Sequence, residues 1–149
     1  MKPSILLFFA MLFFAACQDD DHVLPRLPDD CVTPILLTTQ TDAPESDFFD
    51  LAEVSTDGTC LSVTIGASGC SSEGWSMTLR SNGEVAESSP TQTAARLIFD
   101  DGVEGGVSCL AYFTVTYNFD LSDYLTAGAL PSNLSLTGPD TEQTTVFFE

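Results

Sequence analysis

Cys60-Leu61-Ser62-Val63-Thr64-Ile65-Gly66 is the stretch that decides the fold class. In an extended chain Leu61, Val63 and Ile65 fall on one side, and Ser62 and Thr64 on the other. A period of two marks a strand with one buried face. Trp75, Met77 and Leu79 alternate with Ser76, Thr78 and Arg80 in the same way. The longest such run puts Val107, Cys109, Ala111, Phe113, Val115, Tyr117 and Phe119 on a single face. Shorter runs at 35–39, 49–55, 94–99, 133–137 and 144–148 bring the expectation to about eight strands. Asp57-Gly58, Asn82-Gly83 and Asp101-Gly102 tolerate φ > 0 and read as tight reversals between strands. The Ser/Thr-rich segment 84–93 reads as a loop, and 120–125 as one turn of helix. No stretch combines caps with an apolar stripe at helical spacing over three turns. The expected fold is all-β, an antiparallel, immunoglobulin-like β-sandwich, with a small β-barrel as the alternative.

The N-terminal segment is of another kind. Lys2 precedes an unbroken apolar run of 12 residues, 5–16, closed by the small pair Ala15-Ala16. Twelve helical residues span about 18 Å, too little for the roughly 30 Å bilayer core. Phe14-Ala15-Ala16-Cys17 resembles the lipobox of bacterial lipoproteins, in which the cysteine is acylated and becomes the first mature residue; Phe stands where Leu is usual. The resemblance implies a lipoprotein signal peptide over 1–16 and lipidation at Cys17. Gln18-Asp19-Asp20-Asp21 then resembles the acidic surface-export signal of Bacteroidetes lipoproteins, and it also reads as a plain solvated acidic linker. Pro25, Pro28 and Pro34 fix φ and remove donors, so 17–34 is expected to be an extended tether and 35–149 the folded domain. Several acyl chains at about 0.8 kcal/mol per buried CH₂ would hold such a protein stably at the outer membrane, and the acidic run favours the cell surface.

Beyond residue 16 the chain carries three arginines (Arg26, Arg80, Arg96) and no lysine, against 22 acidic residues. Nucleic acid and anionic headgroups would be repelled by that balance, so neither is an expected partner. The sole histidine, His22, lies in the tether, which argues against a histidine-based catalytic or zinc site in the domain.

Cys31, Cys60, Cys70 and Cys109 remain once Cys17 is assigned. Four cysteines in an exported domain read as two disulfides with three possible connectivities, and wide spacings without a CxxC pair speak against zinc. Strand parity favours Cys70–Cys109, with Cys109 on the inward face. Cys60, on the outward face of its strand, is suited to receive an arriving segment at Cys31.

Taken in order, Cys60-Leu61-x-Val63-x-Ile65-x-x-Ser68-Gly69-Cys70, Asp100-Asp101, Ser108-Cys109-Leu110-Ala111 and Phe119-Asp120-Leu121-Ser122 resemble a group of small Bacteroidetes lipoproteins, similar to NigD-like β-sandwich proteins. The match spans about half of the mature chain. Such proteins often carry a histidine shortly after the second cysteine of the turn. Ser71-Ser72-Glu73-Gly74-Trp75 stands there instead. The resemblance implies a fold and a location, and it supplies no activity.

Candidate chemistry is sparse. Gly66-Ala67-Ser68-Gly69-Cys70 approaches G-x-S-x-G, but cysteine replaces the closing glycine and no domain histidine can act as base. Carboxylate pairs for glycoside hydrolysis are inevitable by chance among so many acids. Asp100, Asp101 and Glu104, in a glycine-rich loop, are the best oxygen ligands for Ca²⁺, although they lack EF-hand spacing and also read as an acidic hairpin. No cofactor is otherwise expected. Trp75 is expected in the core near a disulfide. Phe147 and Phe148 fall on opposite faces of the last strand, so one is exposed as an interaction edge that Tyr112 could join. The expectation is a lipid-anchored, non-enzymatic binding or accessory module with an unidentified protein or ligand partner. A periplasm-facing structural lipoprotein is the alternative, and a small hydrolase a more distant one.

Overall fold

The computed structural model describes residues 31–39, 44–103, 109–140 and 143–149. Cys17, the run 18–21 and Glu104 therefore lie outside the described residues. Two sheets face one another. One holds β1 (Thr33–Pro34), β8 (Ala111–Asp120), β4 (Cys60–Gly69) and β3 (Asp50–Asp57), in that order. The other runs β10 (Gln143–Phe148), β9 (Ser132–Thr137), β7 (Thr91–Asp100), β5 (Ser76–Ser81) and β2 (Leu36–Leu37), with β6 (Val85–Ala86) also on β7. The described residues form no helix, and the sheets are not closed into a barrel.

Parity fills the space between the sheets as the alternation requires. Leu61, Val63 and Ile65 of β4 meet Leu79, Leu97, Phe99, Leu134, Leu136 and Phe148 from the opposite sheet, all essentially without solvent contact. Phe119 joins them from β8. The outer face of the four-stranded sheet is polar and cross-linked by hydrogen bonds. Ser62 donates to Asn118 Oδ1 at 2.7 Å, and the Thr64 and Thr116 hydroxyls meet at 2.8 Å.

Several expectations change. The sandwich is mixed rather than wholly antiparallel, because β1–β8, β2–β5 and β7–β9 pair in parallel. After β7 the chain crosses to the other sheet, runs along β8, and returns beside β7 in the same direction; a parallel neighbour needs such a crossover. Thr33 and Pro34, read above as the end of the tether, already pair with Phe119 and Asp120. The long strand starts at Ala111, opposite Gly69, rather than at 107; Leu110 before it is 95% exposed.

The chain does reverse tightly at Asp57-Gly58: Asp57 pairs with Cys60, which leaves Gly58, at φ 58°, and Thr59 as the two loop residues. Asn82-Gly83 does not reverse the chain. Arg80 pairs with Arg96 and Val85 with Thr93, so β6 continues β5 along β7 after extra residues have bulged out. Gly83, at φ 79°, supplies the kink. That continuation places strand within the segment expected to be loop. Residues 121–125 do form a single turn, Leu125 N–H donating to Leu121 O at 2.7 Å.

Candidate functional site: an acidic, aromatic pole

β4 runs from one end of the sandwich to the other, and a disulfide stands at each end. Cys31–Cys60 closes the first, with Cα atoms 6.0 Å apart, and Cys70–Cys109 the second, at 4.8 Å. Nine residue steps separate Cys60 from Gly69, roughly 30 Å at strand rise. Cys60 lies on the outward parity, yet it is 1% exposed because the Cys31 segment covers it. The second bridge differs from expectation in its surroundings. Cys70 is exposed and Cys109, half-buried, precedes its strand, so the bridge caps the β4–β8 ladder instead of lying beside the core.

The richest chemistry gathers at this second pole. Asp47 N–H donates to Phe99 O at 2.9 Å, and Ser46 Oγ accepts Phe99 N–H at 3.0 Å. These bonds lay residues 46–47 alongside the end of β7. Carboxylate oxygens of Asp47, Asp100 and Asp101 consequently come within 4.8 Å of one another. Each already accepts a backbone N–H: Asp47 from Asp101, Asp100 from Gly102, and Asp101 from Val103, at 2.8–2.9 Å. The acids thus order the turn as an acidic connection does, while presenting hard oxygen to any cation that approaches. Gly102 fits because a Cβ there would lie 2.9 Å from the carbonyl oxygen of Gly74.

Two clefts adjoin at this pole, sharing Asp47, Ser68 and Asp101. One, of about 400 Å³, also takes in Glu73, Trp75 and the Cys70–Cys109 bridge. The other, of about 250 Å³, is bordered by Phe48, Asp50 and Tyr112. Trp75 packs edge-on to Phe99, 5.1 Å between ring centroids, and to Phe113 at 6.1 Å. It is half-buried, between the core and the cleft beside the bridge. Phe48 is 62% exposed and Tyr112 55%. Carboxylates flanked by open aromatic faces suit a cationic or amphipathic group. Ser68 has no histidine beside it among the described residues.

Of the expected site residues, Asp100 and Asp101 come together here. Phe148 is buried and Phe147 half-exposed, as their opposite parities require. Tyr112 does not join Phe147. It belongs to the other sheet, and Phe147 is level with Asn133 and Gln92, toward the opposite pole. Asp47 and Phe48 were missed. Asp47 meets Asp101 across 54 residues of sequence, and no local spacing announces such a contact.

No protein-family model matches the chain, and no curated protein does. Among solved structures, a protein of unknown function, DUF1344, from Bacteroides vulgatus superposes with a TM-score of 0.53 at 16% identity, over 78% of this chain and 56% of that one. A NigD-like immunity protein from Bacteroides caccae gives 0.49 at 10% identity, over 76% and 57%. This chain therefore spans little more than half the length of either. The first likeness establishes a sandwich fold shared with a Bacteroides protein.

Proposed function

We propose that the chain is a lipid-anchored protein of the outer membrane, exposed at the cell surface, and that it acts as a non-enzymatic binding module through its acidic, aromatic pole. One observation carries the reading: the two poles are unlike. The N-terminal segment reaches the domain at Cys31, bridged to Cys60, while the Asp47–Asp100–Asp101 cluster, its two clefts and the exposed Phe48 and Tyr112 lie at the far end of β4. Fourteen residues from Cys17 to Cys31 reach at most roughly 50 Å. A module tethered in this way presents its second pole outward. The lipobox-like Phe14-Ala15-Ala16-Cys17 and the acidic run after it support the anchor and its address.

Replacing Cys17 by Ser is expected to abolish acylation and release the protein from membrane fractions. Asp19→Ala, Asp20→Ala and Asp21→Ala together should keep it acylated while protecting it from external protease. Unchanged protease sensitivity of the triple variant would refute surface export. For the binding end, a photo-crosslinker at Phe48 should capture a partner on intact cells, and one at Phe147 should not. The reverse result would move the binding surface to the β10 edge.

A further inference from the structure

We propose that Arg80 and Arg96 form a two-guanidinium clamp for a single carboxylate or sulfate-type oxyanion carried on a small, otherwise uncharged ligand, whose apolar part lies on Leu36 and Leu37. Arg80 of β5 is the direct cross-strand partner of Arg96 on β7. Leu79, Ser81, Ala95 and Leu97, which flank them in sequence, are buried, so both arginines project from the outer face of the six-stranded sheet. Directly opposed residues hold their Cβ atoms about 4.5–5.5 Å apart, and like charges so placed repel. They are the only cationic side chains among the described residues, in a chain with 22 acids. Even so, no carboxylate among the described residues forms an ion pair with either. The Nε of Arg80 is also shielded from water and has no hydrogen-bond acceptor. A desolvated donor without an acceptor is costly, so the Arg80 side chain gains by swinging outward to an incoming oxyanion, which would supply the acceptor and relieve the repulsion with Arg96. Paired guanidinium forks match planar oxyanions well.

The neighbourhood sets the rest of the ligand. Leu36 is the cross-strand partner of Arg80, and Leu36 and Leu37 are 48% and 49% exposed. Together with Arg80 and Asn82 they border an open cleft of about 650 Å³. A polyanion would be repelled by the acidic remainder of the surface. A ligand with one charge, screened from distant acids beyond about 8 Å at physiological salt, responds chiefly to the two arginines. One oxyanion beside a short apolar segment satisfies both conditions. This clamp shares no residue with the acidic pole, so it stands or falls apart from that site.

Calorimetric titration of the full chain carrying Cys17→Ser, both disulfides formed, with sodium octanoate, 1-octanol and sodium sulfate tests the clamp. Octanoate should bind saturably with a dissociation constant on the order of 1 mM or tighter. Arg80→Gln and Arg96→Gln should each weaken it roughly tenfold at unchanged melting temperature. Leu36→Ser should weaken octanoate and leave sulfate unaffected, and octanol should not compete. Octanoate binding that survives both Gln variants, or that is absent from the unaltered protein, would overturn the clamp. Dextran sulfate binding more tightly than octanoate and losing affinity in the same variants would overturn the single-charge ligand class.

Discussion

The Tyr112 hydroxyl reaches from β8 across Gly66 of β4 to donate to Asp50 Oδ2 on β3, at 3.0 Å. That bond holds the proton and raises the phenol above its ordinary 10.0, with burial and the negative charge of Asp50 adding to the shift. Its contribution to stability is complete below pH 10 and is lost as pH rises through the elevated folded value. Spectrophotometric titration should show Tyr112 among the late tyrosines and moving back toward 10 in Asp50→Asn. Gly66→Ala should have the same effect, because a Cβ would overlap the Tyr112 hydroxyl and displace it. Tyr117 is the converse case. Its hydroxyl is buried without a partner, and burial alone raises it. Removing an unsatisfied buried hydroxyl relieves its desolvation penalty, so Tyr117→Phe should raise stability by about 1 kcal/mol in urea denaturation. The faces of both tyrosines were legible in the two-residue period. Their hydrogen-bonding fates were not, because these depend on neighbours from strands up to 62 residues away.

β4 was the most legible element, since every second residue meets the core and β8 pairs with it without slippage from Cys60↔Asp120 to Gly69↔Ala111, while β3 shifts register once, between Leu51 and Glu53. Elements governed by turns were read less well. Asn82-Gly83 has the composition of a hairpin, and only the register of β6 on β7 reveals a bulge. The parallel pairings were illegible for a related reason: alternation identifies a buried face and carries no information on the direction of a neighbouring strand. Cysteine parity was more informative, since outward Cys60 receives the bridge from Cys31. The bridges close spans of 29 and 39 residues. Chain entropy assigns each about 3–4 kcal/mol. Cys31→Ser with Cys60→Ser, or Cys70→Ser with Cys109→Ser, should each lower the unfolding free energy by that order. The exposed Cys70–Cys109 bridge should yield first to mild reductant, as followed by alkylation and peptide mapping.

At the level of the whole molecule, charge is the dominant trait. With 22 acidic residues and so few cations, the compact state gathers like charges that the unfolded chain spreads apart. Sodium chloride shortens the screening length from about 30 Å at 10 mM to about 8 Å at 150 mM. The melting temperature should therefore rise over that interval, and a fall would mean that attractive ion pairs outweigh the repulsion. The two covalent bridges have a mechanical consequence as well. A pull from the N-terminal side enters at Cys31, crosses to Cys60, and travels along β4 to Cys70 and Cys109. For a load taken up at the Cys70–Cys109 end, β1, β2 and β3 lie off that path while the first bridge holds, whereas a grip on Asp47 or Phe48 would load the segment before β3 instead. β4 is flanked on both sides, and its ladder bonds stand perpendicular to the strand. Tension applied between Cys31 and the Cys70–Cys109 end, as the proposed tethered role would apply it, thus loads all of those bonds in shear together, rather than peeling them open one by one.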